Sequence, residues 1–164
     1  MRHIIELKDG WQFTNLDGQT SEVSIPHTWN AIDGQDGGDD YKRGTCTYTL
    51  ALQKPEFDPD TQEVGIEFDG VNASAQVSLN GQDVCSHDGG YSTFRANLTG
   101  LLADENELVV KADNSKNDRV YPQMADFTFY GGIYRMDRLL VENKAHFALD
   151  YLGSSGIRVT ATPE

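Results

Sequence analysis

Apolar and polar residues alternate along several short stretches of the chain, with the period of two that marks strands burying one face. Turn-forming Asp-Gly and Asn-Gly steps separate these stretches. No window of a dozen residues carries the apolar stripe of an amphipathic helix, and the best helical candidate is one turn at 98–103. The pattern therefore predicts an all-β protein. The predicted strands are 46–52, 63–68, 75–79, 82–86, 107–112, 138–141 and 156–161.

The Asn80-Gly81 step joins two of these predicted strands and is the strongest local signal for a hairpin. A tight turn of type I′ needs a positive φ at both central residues, which Asn and Gly adopt at low cost. Many short strands with frequent turns favour a β-sandwich, with the jelly roll as its topology. The residues expected in the core are Trp11, Phe13, Phe68, Val71, Val77, Leu79, Phe94 and Val109.

Two stretches, 24–40 and 114–125, show no strand pattern and are long for loops in a compact domain. Loops of that length in a compact domain are often binding loops. The first contains an acidic run, 33–40, which lacks the alternating ligands and terminal Glu of an EF-hand and is interpreted as solvated. The histidines also lack the short spacing of metal ligands, so no metal site is predicted. They are His3, His27, His87 and His146.

The length and charge of the chain restrict its class and its partners. With 164 residues and 38% hydrophobic content, it is long enough for a single domain that spans 1–164 and has its own core. Its 13 basic and 26 acidic residues give a net charge of −13. Nucleic acids and anionic membranes are bound by clustered Lys and Arg, so neither is expected as a partner.

The compartment is predicted from the N-terminus and the cysteines. The chain becomes charged within its first residues and lacks the apolar core of a signal peptide. Its apolar runs are far shorter than the ~20 residues of a membrane span. These features predict a cytoplasmic protein. Cys46 and Cys85 are therefore expected to be reduced, because a domain of this size does not need a disulfide.

Residues 126–135 carry the most informative chemistry: a carboxylate, three aromatics in four positions, a Gly-Gly pair and a terminal Arg. Carboxylate oxygens accept hydrogen bonds from sugar hydroxyls, and aromatic rings pack against the apolar C–H faces of a sugar. Asp126 is therefore a candidate sugar ligand. A second interpretation stays open, in which Asp126 caps a turn and the aromatics fill the core.

The sequence D-F-T-F-Y-G-G-I-Y-R at 126–135 is the last of several motifs that follow one another along the chain. The others are D-G-W-Q-F at 9–13, I-P-H-T-W-N-A at 25–31, the run 68–81 that ends in L-N-G, H-D-G-G-Y-S-T-F at 87–94, N-E-L-V-V at 106–110 and D-N-S at 113–115. In this order the motifs resemble the N-terminal sugar-binding domain of family 2 glycoside hydrolases, the β-galactosidase and β-glucuronidase family. The resemblance covers nearly the whole chain.

The resemblance implies a galactose-binding-like jelly roll that completes one wall of the substrate pocket of a parent enzyme. Among the enzymes of this family, the sequence is nearest to the β-galactosidases. Asp126 matches the Asp that contacts hydroxyls of the sugar in the −1 subsite. Tyr41 and Arg43 lie where the family directs another loop towards the active site, and both are candidate substrate ligands. Arg135 is interpreted as a structural group that caps a strand end or forms an ion pair.

The resemblance also implies which parts of the enzyme these residues do not supply. A retaining glycosidase uses two carboxyl groups about 5–5.5 Å apart, and in this family both are glutamates on a (β/α)₈ barrel that follows an immunoglobulin-like domain. The chain resembles neither domain, so we expect it to contain no catalytic residue and no cofactor, and to be inactive alone. For the parent enzyme the family implies a β-linked sugar substrate, sodium or magnesium, and a homo-oligomer.

Two other functions stay open. The chain is alternatively a structural domain at an oligomer interface, in which case it has no affinity for sugars. It is alternatively a free-standing carbohydrate-binding module, since such modules share the jelly roll. A module of that kind usually exposes a row of Trp or Tyr on one sheet face, whereas Trp11 and Trp29 both lie in motifs of the family core.

Overall fold

The computed structural model describes residues 2–34, 41–122, 128–149 and 153–162 and folds them into strands without a helix. The strands are β1 (His3–Glu6), β2 (Trp11–Thr14), β3 (Thr20–Val23), β4 (Thr45–Gln53), β5 (Gln62–Phe68), β6 (Val71–Asn72), β7 (Ser74–Leu79), β8 (Gln82–Asp88), β9 (Phe94–Asn97), β10 (Glu105–Asp113), β11 (Gly132–Ile133) and β12 (Asp137–Asn143). The predicted all-β class is confirmed. No helix of membrane-spanning length and hydropathy occurs in this described part of the chain.

The strands form two main antiparallel sheets, which face each other as a β-sandwich. One sheet has the order β1-β12-β5-β9, and the other has the order β3-β2-β4-β10-β7-β8. A short ladder between β11 and β6 stands beside them. Neighbours in each sheet are often distant in sequence, as when β10 lies between β4 and β7. Such crossovers are those of a jelly roll, the predicted topology.

The core lies between the two sheets because each strand turns alternate residues inwards. In β4 the side chains of Cys46, Tyr48, Leu50 and Leu52 are buried and the residues between them are not. Trp11 on β2 is fully buried, and its indole N–H donates to the Leu7 carbonyl at 2.8 Å. A buried indole that keeps a hydrogen-bond partner avoids the cost of an unpaired donor.

Seven of the eight predicted core residues are buried, and Val109 is the exception. Strand β10 buries Leu108 and Val110 and leaves Val109 half-buried on the opposite face. Glu107 and Lys111 lie on the same face as Val109, so the charges that flank the apolar run place this face outwards. On the inner face, Leu108 lies opposite Leu50 on one neighbour and Leu79 on the other. The prediction for Val109 is therefore wrong by one residue.

The hairpin prediction is confirmed. Asn80 and Gly81 have φ values of 54° and 79°, and they join β7 to β8 with Leu79 paired to Gln82. Both values lie in the left-handed region that a type I′ turn requires. The Asn80 side chain also donates to the Asn106 side-chain oxygen at 3.0 Å, which ties the hairpin to the start of β10.

Two local predictions are wrong. Residues 98–103 form a hydrogen-bonded turn, in which Leu101 N–H donates to the Leu98 carbonyl at 2.9 Å, and no helical turn. No strand forms within 153–162, although 156–161 alternates, and Val159 is 87% exposed there. Alternation specifies which side chains share a face, but a strand also needs a free edge to pair with.

Cys46 and Cys85 are free thiols, and burial raises the pKa of each to about 11.

Candidate functional site

A small cleft lies at one end of the sandwich, where loops from distant parts of the sequence meet. Strands β4 and β10 pair with Thr45 opposite Asp113, so the chain before β4 and the chain after β10 emerge at the same end. The backbone N–H of Ala73, just after β6, donates to the Asp113 carbonyl at 2.9 Å and brings a third segment there. We name this feature the loop cleft. Its walls include Arg43, Asn72, Asn114, Lys116, Tyr121 and Phe129.

Arg43, on the wall of the loop cleft, packs against two aromatic rings that contact each other. The central carbon of its guanidinium is 5.5 Å from the ring centre of Tyr41 and 5.2 Å from that of Phe129. The two rings are 6.4 Å apart and meet edge to face at 77°. Rings at these distances attract the cation through their negative faces. The structure thus brings together Tyr41 and Arg43, both predicted site residues, with an aromatic of the 126–135 motif.

A buried asparagine, Asn114, ties together the segments that carry this stack. It is 2% exposed, and its side-chain oxygen accepts the Gly44 N–H at 2.9 Å. Its amide group donates to the carbonyls of Lys42 and Phe129, each at 3.3 Å. One side chain therefore fixes the backbone on both sides of Arg43 relative to Phe129. Sequence reasoning included Asn114 only as part of a D-N-S motif and did not assign it this role.

The backbone of 129–131 is held by two further buried asparagines. Asn30 donates to the Phe129 carbonyl at 3.0 Å and accepts the Gly131 N–H at 2.7 Å. Asn72 donates to the Tyr130 carbonyl at 2.5 Å. Because unpaired buried amides are costly, all of these bonds favour one conformation of the segment. The signal that could have identified Asn30 is its place at the end of the I-P-H-T-W-N-A motif.

The Gly-Gly pair of the motif is required by packing. A Cβ at Gly131 would overlap the ring of Trp29, and a Cβ at Gly132 would overlap the hydroxyl of Tyr48 and the carbonyl of His27. Gly132 also has a φ of +123°, which other residues rarely adopt. The glycines therefore let the motif approach the aromatic wall of the sandwich closely.

His27 and Trp29, beside this wall, are structural. The ring nitrogen Nδ1 of His27 is 2.8 Å from the Tyr48 hydroxyl, and burial lowers the pKa of His27. The ring of Trp29 stacks on Phe13, and its indole N–H donates to the Lys42 carbonyl at 3.0 Å. A neutral, hydrogen-bonded His and a stacked Trp support the loop cleft from behind.

Asp126, the predicted sugar ligand, and Phe127 lie outside the residues that the structure describes. The next residue, Thr128, is described, and its hydroxyl donates to the Asp33 carbonyl at 3.0 Å. At the other end of the motif, Arg135 donates to the carbonyls of Asp69 and Tyr91 at 3.4 and 3.3 Å. Arg135 is therefore the backbone-capping group that the sequence predicted.

The charge of the loop cleft differs from that of the chain. Arg43 and Lys116 contribute two cations, and the described wall residues include no carboxylate, although the chain carries a net charge of −13. Within the described ranges, neither cation has an Asp or Glu oxygen within 4.0 Å, whereas the neighbouring Arg119 is paired with Asp88 at 2.7 Å. Among the described residues, these two cations therefore give the loop cleft a local positive charge.

A second cavity, of about 210 Å³, lies on the outer face of the sheet that contains β5 and β9. His146 covers it and contacts the carboxylate of Glu63, and Arg95 donates to the carbonyls of Leu149 and Ser154. These contacts bind the segment after β12 to the sheet.

In the part of the chain described, no group of three His, Cys, Asp or Glu side chains is arranged to hold a metal ion.

The family model described as glycosyl hydrolase 2 galactose-binding domain-like matches residues 38–143. A β-glucuronidase of Bacteroides fragilis is 38% identical over 157 residues, which are 92% of this chain and 22% of that protein. A β-galactosidase of Thermoanaerobacter pseudethanolicus is 27% identical over 167 residues, covering 96% of this chain and 22% of that protein. The chain thus spans about a fifth of the length of these relatives.

A solved structure supports the same fold. The FMN-binding β-glucuronidase from Facaelibacterium prausnitzii L2-6 superimposes with a TM-score of 0.88 and 42% sequence identity. The match covers 93% of this chain and 24% of that one.

Proposed function

This chain belongs to the glycosyl hydrolase 2 galactose-binding domain-like family, and from that membership we propose that it forms one wall of the substrate pocket of a longer β-glycoside hydrolase. Retaining glycosidases need two carboxyl groups about 5–5.5 Å apart. In this proposal both are glutamates of a barrel domain elsewhere in the parent enzyme. The present chain then adds orientation and specificity instead of the bond-breaking step.

The observation that carries the proposal is the preorganised stack of Tyr41, Arg43 and Phe129. Its three side chains come from segments more than 80 residues apart and are fixed by the hydrogen bonds of Asn30 and Asn114. Aromatic faces and fixed polar donors are the groups that bind sugars.

Asp126 is our proposed ligand for a sugar hydroxyl. It begins the motif whose later residues form the Phe129 side of the loop cleft, and the family resemblance assigns a sugar-contacting Asp to this position. Tyr41 and Arg43 are proposed as further substrate-binding groups. A sodium or magnesium ion, a homo-oligomeric assembly and a cytoplasmic location belong to the same proposal for the parent enzyme.

Two substrate classes follow from the relatives. The sequence favours a β-galactoside, while proteins named β-glucuronidase and β-galactosidase are both among the relatives. The first experiment is therefore to assay the parent enzyme, and this 164-residue chain alone, on nitrophenyl β-galactoside, β-glucuronide and β-mannoside. We expect hydrolysis by the parent and none by the chain alone. Turnover by the purified chain would contradict the proposal.

The second experiment tests the role of Asp126 in the parent enzyme. Replacing Asp126 with Ala removes a charge-assisted hydrogen bond worth roughly 1.5–3 kcal/mol, so kcat/KM should fall about ten- to a hundredfold. The loss should shrink on a deoxy substrate that lacks the contacted hydroxyl. Asp104→Ala is the matched control, since Asp104 is exposed next to the first residue of β10, far from the loop cleft. Equal losses in both variants would contradict the assignment. It would also be contradicted if Asp126→Ala unfolded most of the protein while kcat/KM per folded molecule stayed at the wild-type value.

A structural interface is the second candidate function, and one observation favours it. Phe147, Ile157 and Val159 are 67%, 56% and 87% exposed. A contiguous patch of exposed apolar side chains marks a surface that another domain or subunit covers, and in this second proposal the three side chains form such a patch. Replacing the three by Ser would then change the assembly of the parent enzyme in sedimentation experiments and leave its substrate selectivity unaltered.

A further inference from the structure

The segment that follows β12 crosses the outer face of the sheet containing β5 and β9 and encloses a cavity against it. The Lys144 N–H donates to the Thr61 carbonyl at 2.9 Å. At two later points, Arg95 of β9 donates to the carbonyls of Leu149 and Ser154, at 3.0 and 2.9 Å. The cavity between segment and sheet measures about 210 Å³, which at roughly 30 Å³ per molecule is room for about seven waters. It can therefore hold one small ligand.

A glycine in the middle of β5 leaves this space open. Gly65 lies between Glu63 and Glu67 on the outer face of the strand and forms part of the cavity wall. Glycine weakens the interior of a strand, and there it often marks the close approach of a ligand or of another backbone. A Cβ at Gly65 would lie 3.5 Å from the Ala96 carbonyl oxygen and 3.8 Å from Leu149 Cδ1, which are ordinary contact distances. Alanine is thus tolerated at this position, whereas a larger side chain would extend into the cavity.

The guanidinium of Arg95, on the cavity wall, has donors that the protein does not use. Its side chain is 11% exposed, and its Nε contacts the Glu67 carboxylate. Nη1 donates to the two carbonyls of the covering segment, whereas Nη2 has no hydrogen-bond partner among the described residues. N–H groups that lose water without gaining a partner carry a desolvation cost. A ligand oxygen that pairs with Nη2 would remove that cost.

Glu63 supplies hydrogen-bond acceptors to the same cavity. One of its oxygens accepts the Asn97 side-chain N–H at 3.1 Å, and the other contacts His146 Nε2. A carboxylate has about four acceptor positions. Those that remain are available to the hydroxyl groups of a ligand.

The charges on this wall compensate one another. Arg95 is paired with Glu67, and Glu63 is paired with His146. A charged ligand would therefore lose its hydration without gaining an unpaired counter-charge. Alanine and leucine side chains of the covering segment form an apolar part of the wall, against which C–H groups can pack. A neutral molecule with several hydroxyl groups and a C–H face satisfies all of these conditions.

We propose that this cavity binds a neutral polyhydroxylated molecule of monosaccharide size, with Arg95 Nη2 donating to one of its oxygens and Glu63 accepting from one of its hydroxyls. The ligand is a monosaccharide or an acyclic polyol. Among the described residues the cavity and the loop cleft share no wall residue, so the inference does not depend on the proposed role of the chain in a substrate pocket. Because the covering segment supplies part of the wall, the bound ligand would also hold this segment against the sheet.

The test is a titration of the 164-residue chain with glucose, galactose and sorbitol, followed by two-dimensional amide NMR at pH 6. At this pH His146 is cationic, because its pKa is raised above 6.5. We expect a Kd of about 1 mM for a ligand of this size, with saturable shifts of the amide signals of Gly65, Ala96 and Leu149. Glucosamine and glucuronate, which are charged analogues of glucose, should bind at least about tenfold more weakly.

Filling the cavity should abolish the effect. Gly65→Val should raise the Kd at least about tenfold, because its side chain occupies the space of the ligand. Gly100→Val is the matched control, since nothing lies within 4 Å of a Cβ there, and its Kd should equal that of the wild type. Gly65→Ala makes only ordinary contacts, so it should fold and raise the Kd by at least about threefold. It keeps the test decisive if Gly65→Val does not fold.

Four results would overturn the inference. They are no saturable shift with any of the three neutral ligands up to about 100 mM, shifts in the loop cleft instead of the cavity, an unchanged Kd in the folded Gly65 variants, and charged analogues that bind as tightly as glucose. The tighter of the sugars and sorbitol shows whether the site takes a ring or an open chain. Hydrolysis by the parent enzyme is measured separately, so failure of this inference leaves the proposed function standing.

Discussion

At the scale of single residues, the site depends on side chains that hold backbone in place. Asn30 forms hydrogen bonds with groups 99 and 101 residues away in sequence. The partners of Asn114 are 15 to 72 residues away. Local sequence patterns carry no information on such partners, so these residues could be noted as motif members but not assigned a role. Tyr41 and Arg43 were predicted only from a family resemblance, and their stacking with Phe129 emerges from the fold.

The Gly-Gly pair of the motif gives the first residue-scale prediction. Gly131→Ala should lower the free energy of unfolding by about 1–3 kcal/mol, because the new Cβ would overlap the Trp29 ring and force the motif away. Urea denaturation of the chain measures the change. Gly100→Ala is the control, since nothing lies within 4 Å of its Cβ position, and there the change should stay within about 1 kcal/mol. Similar effects at both positions would show that the close contact with Trp29 is unimportant.

At the scale of elements, sequence patterning predicted the strands where a period or a turn was distinct. The Asn80-Gly81 hairpin followed from backbone preferences of two adjacent residues. The inner face of β10 was assigned wrongly within the apolar run 108–110, although Glu107 and Lys111 lie on the face of Val109. The end of the chain shows the opposite failure: 156–161 alternates but forms no strand in the structure. In β10 the flanking charges carried the answer, whereas at 156–161 a strand would need a pairing partner that no local pattern specifies.

The face assignment of β10 can be tested with two neighbouring valines. Val110 is fully buried and lies opposite Tyr48 and Val77, so Val110→Ala should cost about 2–4 kcal/mol of unfolding free energy through lost burial and a cavity. Val109→Ala removes the same atoms from the other face and should cost less than half as much. The midpoints of urea denaturation compare the two. A larger loss at Val109 would mean that the strand is turned the other way.

At the scale of the whole molecule, buried and paired charges make the stability of the sandwich depend on pH. The outer face of the sheet containing β5 and β12 carries a network in which Glu67 binds both Arg95 and Arg138. On the same face, His146 forms a separate cluster with Glu63 and Glu142. The pKa of His146 is raised, first by the Phe147 carbonyl and then by Glu63. The stabilisation from His146 is therefore complete below its unfolded pKa of about 6.5 and is lost as the pH rises through the folded value.

Asp137 gives the sharpest pH-dependent effect, because it is fully buried and neither of its oxygens has a hydrogen-bond partner among the described residues. Burial raises its pKa well above the ordinary value, the nearby Asp69 raises it further, and Arg138 opposes them. The unfolded chain releases this proton near pH 3.9, whereas the folded chain keeps it. Folding is therefore favoured below that pH and loses up to about 1.4 kcal/mol per pH unit as the pH rises towards the folded pKa.

Asp137→Asn should remove this dependence, because the amide has nearly the same shape and does not titrate. Urea denaturation of the wild type and the variant between pH 4 and pH 8 gives the difference in unfolding free energy at each pH. We expect the wild type to lose stability relative to the variant as the pH rises above the unfolded pKa of about 3.9, and the loss to level off above the folded pKa. His146 and the paired carboxylates titrate equally in both proteins and cancel in the difference. Parallel curves would mean that Asp137 is ionised in the folded protein, and a buried cation or bound water would then have to stabilise its charge.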